Sequence, residues 1–432
     1  MSTEREIAVD YLARVEGEGA MYLRLKDNEV LDLQFKIFEP PRFFEAFLRG
    51  RRFQEAPDIT ARICGICPVA YQTSACNALE NAAGVEVTGQ LQALRRMLYC
   101  GEWIESHALH VYFLHAPDFL GYESGIAMAA DHPERVKAAL RLKKIGNHVM
   151  TVLGGREIHP INVRVGGFYR TPTKAELEEL VPDIEWARDA SIETAGFVAG
   201  LPFPEFERDY EFVALRHPDR YAVETGRIVS NRGLDIDVTE WPEHFEESHV
   251  AWSNALHAEL KQRGSYHVGP MARYSLNYEQ LTPLARQTAE DVGLGPVCTN
   301  PFKSIVVRSI ELVFACEEIL RLIDEYERPA EPSIEVVPGG STGHGASEAP
   351  RGILYHSYSV DEAGLISNAH IVPPTSQNQL SIEDDLRAYV PEYAHLEDDD
   401  LQWQLEQAIR NYDPCISCAT HFLDLTVDRE SG

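Results

Sequence analysis

Apolar positions along the 432 residues follow two different rhythms. Between residues 7 and 37 they alternate with polar ones, as in AMYLRLKDNEVLDLQFKIF. A period of two puts every second side chain on one face of a strand, so this stretch predicts a small antiparallel meander turning at Asp27-Asn28. Pro40-Pro41 ends it, and RFFEAFLRG predicts a short helix. From Pro68 the rhythm is helical. CPVAYQTSACNALENAAG carries Pro in its first turn and Gly after its last periodic residue. Further helices are predicted over 88–115, 133–153, 174–200, 242–261, 302–327 and 399–411. Loops and short strands are predicted over 160–172 and 205–240. Residues 329–352 are rich in Pro, Gly and Ser and read as loop. No repeat of solenoid period occurs. The expected class is mainly α with a small N-terminal antiparallel sheet.

Composition adds bounds. A 44% hydrophobic chain of this length can bury a large core, as one domain or two to three smaller ones. A formal charge of −29 repels nucleic acid and anionic lipid, while leaving room for a protein partner with a neutral or apolar face. No run of ~18 apolar residues predicts a membrane span. MSTEREIAVDYLARVEG lacks a basic stretch followed by an apolar one, so the cytoplasm is the expected location.

The eight cysteines change the picture most. Four fall in two C-x-x-C pairs, Cys64/Cys67 in ARICGICPVA and Cys415/Cys418 in YDPCISCATH. Thiols three residues apart lie on one side of a helical or turn segment, so each pair can reach one metal. Pro68 and Pro414 fix the backbone beside them. Thiolates select zinc, copper(I), iron–sulfur clusters or nickel. A structural four-cysteine zinc site is one reading, although such pairs usually lie close together and here nearly the whole chain separates them. Cys76, Cys100, Cys298 and Cys316 sit singly in apolar stretches and read as small buried hydrophobes. His107, His110 and His115 share a helical face and read as packing residues.

The flanks of the two pairs resemble the large subunits of nickel–iron hydrogenases. RICGICPVAY and DPCISCATH resemble the two metal motifs. RVEGEG (14–19), GGREIHP (154–160), APRGILYH (349–356) and NAHIVPPTSQN (368–378) resemble further blocks of that family, in its order. The PVAY and ISCATHF variants and the short length look most like the cytoplasmic, NAD(P)-linked hydrogenases, the sulfhydrogenase alpha subunits among them.

The resemblance implies a single catalytic domain over 1–432, with a small β region (1–40), a helical body (41–330) and a loop-rich return segment with the second metal motif (331–421). Residues 422–432 would be a tail that a maturation protease removes after His421, once a nickel chaperone has delivered the metal. The implied cofactor is a Ni-Fe centre whose iron carries CO and CN. Cys64 and Cys415 would be terminal nickel ligands, and Cys67 and Cys418 bridges to iron. Cys415 would be the base in heterolysis, with Arg351 as the alternative, and Glu16 the first proton acceptor. Without the resemblance Glu16 reads as an exposed turn residue. Arg351 and Pro350 would lie above the metal, with Arg351 and Thr375 or Ser376 holding the cyanides. Asp413 and Asp118 would complete an acidic shell with Arg351, Asp118 having a helix N-cap as its plain alternative. Glu45 and His421 would hold Mg2+, with a solvated helix Glu as the rival reading of Glu45. Tyr71 stands where many relatives have His.

The implied activity is reversible oxidation of H2. The chain lacks a ferredoxin-type cysteine run and a G-x-G-x-x-G after a strand. Iron–sulfur clusters, flavin and NAD(P) are therefore expected on partners: an iron–sulfur small subunit docking near the N-terminal cysteine pair, and a flavin/NAD(P) subunit. A hydrogen sensor with the same metal site is an alternative. The related quinone-site subunit of respiratory complex I lacks the four cysteines.

Overall fold

A computed structural model describes residues 4–337 and 339–420. The N-terminal meander forms as expected, with strands Glu4–Val9, Gly19–Lys26 and Glu29–Ile37 in sequential antiparallel order. Asp27 and Asn28 both take positive φ, the geometry of the two-residue hairpin turn that matches strand twist. Met21, Leu23 and Leu25 point inward from the central strand. That face packs on the helix Pro374–Tyr393, where Glu383 accepts Phe35 N–H at 3.0 Å.

The helical body is built on Gly89–Leu109, Pro133–Gly154, Val181–Ala199 and Ser304–Asp324. The first two approach closely because Gly101 faces Gly146. A Cβ on Gly146 would lie 2.6 Å from Gly101 O. The stretch 88–115 continues past Leu109 as a π-helical turn, His110–His115. The stretch 174–200 is two helices, Lys174–Glu178 and Val181–Ala199. The predicted helix near 399–411 is Asp398–Arg410.

Two expectations fail. Residues 242–261 hold only a short helix, Trp241–His244, followed by an antiparallel pair, Phe245–His249 with Leu256–Leu260. Polar groups in the intervening loop find partners that no helix would offer them. Asn254 N–H donates to Ile37 O at 2.6 Å, and its Nδ2 to Phe38 O at 3.2 Å. Residues 329–352 are not all loop either. Ser341–Ala349 is a strand, paired with Gly352–Val360, which pairs in turn with Ile366–Val372. Its glycines serve close approach rather than turning. A Cβ on Gly345 would meet Ala78 N at 2.3 Å, and one on Gly343 would meet Ala78 O at 2.1 Å. The strand thus lies against the helix Pro68–Ala82, the helix that Cys67 opens. Ser74 Oγ and Ser347 Oγ, 2.7 Å apart, join the two elements.

Candidate metal centre

Cys67 is the N-cap of the helix Pro68–Ala82, and Cys64 lies just before it in extended backbone. The buried Glu102 carboxylate accepts Val69 N–H at 2.6 Å and Ala70 N–H at 3.2 Å, satisfying two orphan donors of that helix start. Cys415 and Cys418 come from the far end of the chain, around the short turn Ser417–Ala419. The RVEGEG segment bridges to this end: Ile416 N–H donates to Glu16 O at 2.9 Å. Arg42 ties both segments together. Its Nη2 donates to Ile63 O at 2.7 Å and also to Ser417 O, while its backbone N–H donates to Thr420 O at 2.6 Å.

The four sulfurs therefore converge. They lie within 4.8 Å of one another, all buried. Cys64 and Cys415 are 3.5 Å apart, and Cys67 and Cys418 3.7 Å. No disulfide forms among the described cysteines. Hydrogen bonds from the Cys415, Cys418 and Cys67 thiols, together with the Arg351 charge, hold Cys64 well below the ordinary thiol range. Burial pushes Cys415 and Cys418 above it. Four adjacent thiols cannot all ionise in a dry pocket unless a cation shares it, so the donor set fits a thiophilic metal centre. Cys76, Cys298 and Cys316 are buried elsewhere, each pushed up to about 12 by burial, and Cys100 is buried likewise.

A small cavity opens beside the sulfurs, lined by Cys67, Cys415, Cys418, Tyr71, Pro350 and Arg351. Arg351 Nε donates to Asp413 O at 2.7 Å and Nη2 to Asp413 Oδ1 at 3.0 Å. Its Nη1 is buried without a partner among the described residues. Burial works against the guanidinium charge, but Asp413 and the cysteines hold its pKa well above the usual value. Arg273 anchors the same segment, donating to Pro350 O at 3.0 Å. Thr375 Oγ1 accepts Cys415 N–H at 3.0 Å, and Ser376 is buried beside it. Tyr71 is buried with its phenol toward Cys418.

Glu16 faces the cluster. Cys415 Sγ lies 3.1 Å from Glu16 Oε2, which also accepts Ser417 N–H at 3.0 Å. Burial, with the Cys64 charge, raises its pKa.

Asp118 departs from expectation. It belongs to a separate buried network, not to the Arg351–Asp413 pair. Arg410 grips it at 2.8 Å through both Nε and Nη2, and Arg14 and His115 also bind it. Burial opposes its charge, yet His115 and Arg410 outweigh burial and lower its pKa. Nor is it a helix N-cap, because His115 holds that place. Its partners are the helix leading into Cys415 and the segment carrying Glu16. Glu45 Oε1 accepts Ile371 N–H at 2.8 Å. His421 and residues 422–432 lie outside the described residues. His107, His110 and His115 are fully buried and bonded, to Glu311, Arg410 O and Asn411.

Arg42 and Glu102 escaped the sequence reading. Arg42 follows Pro40-Pro41, and that adjacency is the one local signal it offers. Glu102 gives no local signal, because its partners lie on another helix.

A nickel-dependent hydrogenase family profile matches residues 42–138 and 261–421. The chain is 34% identical to sulfhydrogenase 1 subunit alpha of Pyrococcus furiosus, over 97% of this chain and 98% of that one. It is 28% identical to NAD-reducing hydrogenase HoxS subunit beta of Cupriavidus necator, over 97% and 95%. It superposes on an NAD+-reducing [NiFe]-hydrogenase solved in the H2-reduced state with a TM-score of 0.88, covering 98% of this chain and all of that one at 28% identity. A [NiFeSe]-hydrogenase of Dm. baculatum shares the fold at a TM-score of 0.79 and 22% identity. With the convergent cysteines, these likenesses establish that the chain belongs to the nickel-dependent hydrogenase family.

Proposed function

We propose that Cys64, Cys67, Cys415 and Cys418 hold a nickel–iron centre at which H2 is reversibly split into protons and electrons. The observation that carries this reading is the convergence of four buried sulfurs, from opposite ends of the chain, beside a cavity lined by an arginine nitrogen with no partner among the described residues. A structural zinc site is closed and needs no such space. The centre supplies the electron-pair acceptor that heterolysis requires.

The protein's residues divide the remaining work. By the family likeness, Cys64 and Cys415 would be terminal ligands to nickel, and Cys67 and Cys418 would be shared with the iron. Arg351 Nη1, and the hydroxyl of Thr375 or Ser376, would provide donors for cyanide on the iron, and Pro350 walls the same space. CO completes that set. Cys415 Sγ is the base rather than Arg351, whose guanidinium stays charged beside Asp413 and cannot accept a proton. Glu16 takes the proton onward, since its Oε2 lies 3.1 Å from Cys415 Sγ and burial favours its protonated form. Asp118 holds the helix Asp398–Arg410 and the Glu16 segment in register through Arg410 and Arg14. Glu45 and His421 supply ligands for Mg2+.

Electrons leave toward an iron–sulfur partner. Gly65, between Cys64 and Cys67, is exposed, and Ile158 lies against it. Ile161 and Tyr169, more than half exposed, line the adjoining cleft together with Glu55, Asp58 and Arg62. We place a flavin subunit linking it to NAD(P) beyond that partner, a reading supported by the likeness to NAD-reducing relatives. Among the described residues no helix is long and apolar enough to cross a membrane.

Cys415→Ser tests the assignment. It is expected to abolish H2 uptake, and retained wild-type uptake would remove Cys415 from the mechanism.

A further inference from the structure

Arg351 reaches the metal cavity on a long side chain, and its two ends are fixed by different residues. Asp413 fixes the tip, taking Nε on its carbonyl and Nη2 on its carboxylate. The backbone end is fixed by Arg273, from the helix Pro270–Asn277. Arg273 Nη1 donates to Ala349 O at 2.5 Å and Nη2 to Pro350 O at 3.0 Å. These are the two carbonyls immediately before Arg351.

Arg273 is itself held on every side. Nε and Nη2 each donate to Glu311 at 2.9 Å, and Nη1 also donates to Glu348 at 3.0 Å. All of its N–H donors are thereby used. Its guanidinium carbon lies 4.5 Å from the centre of the Trp103 ring. Glu311, on the helix Ser304–Asp324, also accepts Tyr221 O–H at 2.7 Å and lies 2.9 Å from His107 Nε2. Arg273, Glu311, Trp103 and His107 are all fully buried. A buried polar network with every member bonded is rigid.

The backbones on either side are cut to fit. Gly269, at φ +117°, precedes the Arg273 helix, and a Cβ there would lie 2.8 Å from Arg351 O. Gly352, at φ +138°, follows Arg351, and a Cβ there would lie 2.9 Å from Gly269 N. The Arg351 peptide is thus pressed onto the start of that helix.

We propose that Arg273, braced by Glu311, is the positioning residue that sets where Arg351 Nη1 stands in the metal cavity. This rests on the reading of Arg351 as a donor to a cyanide on the iron. Arg273 touches no reacting atom and acts only through the Ala349–Arg351 backbone. Asp413 alone would leave that backbone free to shift, and a shift of about 1 Å at such a site can cost about a hundredfold in rate.

Infrared spectra of the purified holoenzyme test this, together with D2–H2O exchange expressed per nickel. Arg351→Met, which has no donor, should shift the CN stretching bands and serves as the reference. Arg273→Lys keeps the charge but cannot fork to both carbonyls and Glu311. It should shift the same bands in the same direction and slow exchange about tenfold to a hundredfold. Added to Arg351→Met, it should cause no further shift, because both changes act through one side chain. Tyr221→Phe removes one support of Glu311, keeps the ring, and should give a smaller shift of the same sign even where Arg273→Lys assembles poorly. Ile319→Ala opens a cavity on the Glu311 helix; it should lower thermal stability and leave the bands at their wild-type frequencies. If Arg351→Met shifts the bands while Arg273→Lys and Tyr221→Phe leave them unchanged, the positioning role is wrong and Arg351 keeps its own. An undiminished Arg273→Lys shift in the Arg351→Met background also overturns it. If Arg351→Met itself leaves the bands unchanged, the assignment of Arg351 fails and this inference falls with it.

Discussion

The Cys415 thiol lies 3.1 Å from Glu16 Oε2, although 399 positions separate the two residues. Under the proposed function, that contact would give a proton leaving the metal centre an immediate acceptor. Glu16→Gln keeps the shape and the Ser417 N–H bond but cannot take up a proton. H2-dependent activity should fall by about 10²–10⁴-fold, the usual worth of a positioned acid–base group. Nickel and iron contents should not change. Activity within a factor of about two of wild type would contradict the assignment.

Arg42 is expected to act before turnover. It holds the carbonyl preceding Cys64 and the carbonyl preceding Cys418 with one guanidinium. Arg42→Ala removes that clamp, and the four sulfurs lose their fixed spacing. The purified variant should carry substoichiometric nickel and iron by elemental analysis while remaining folded by circular dichroism. Arg42→Lys, which cannot reproduce the planar fork, should fall between the two. Full metal content in Arg42→Ala would show that the cysteine segments hold together without it.

A pH effect on stability follows from Arg273, which serves two carboxylates. It grips Glu311 through Nε and Nη2, both at 2.9 Å, and meets Glu348 through Nη1 alone at 3.0 Å. Burial raises Glu348 to about 7, only partly offset by Arg273. A carboxyl raised on folding favours the native state while it is protonated. Its contribution is full below the unfolded value of about 4.3 and is lost as pH rises through 7. Wild-type stability should therefore decline relative to Glu348→Gln between these limits, by up to about 4 kcal/mol, and the gap should stay constant above them. Chemical denaturation at pH 5 and pH 8 measures it. A gap independent of pH would show that Glu348 is ionised throughout.

That the cysteines, Glu16 and Arg351 lie together is legible because each sits in a short motif resembling a family block; its chemistry alone would leave Glu16 an exposed turn residue. The N-terminal sheet was legible because its alternation is regular and its turn is Asp-Asn. What stayed hidden depends on distant partners. The family resemblance puts Asp118 beside Arg351, yet Arg14 and Arg410, 104 and 292 positions away, claim it. The strand Ser341–Ala349 looked like loop because Gly343 and Gly345 were read as turn residues. Their lack of a side chain instead lets the strand lie on the Cys67 helix. The pair Phe245–His249 with Leu256–Leu260 was read as helix because its loop finds its partners on the N-terminal sheet.

The central claim is that the four sulfurs hold nickel and iron. Elemental analysis with an infrared spectrum of the chain purified from its native host tests it most directly. The account predicts nickel and iron in equal amounts, with CO and CN stretching bands. Zinc in their place, with no such bands, would contradict it.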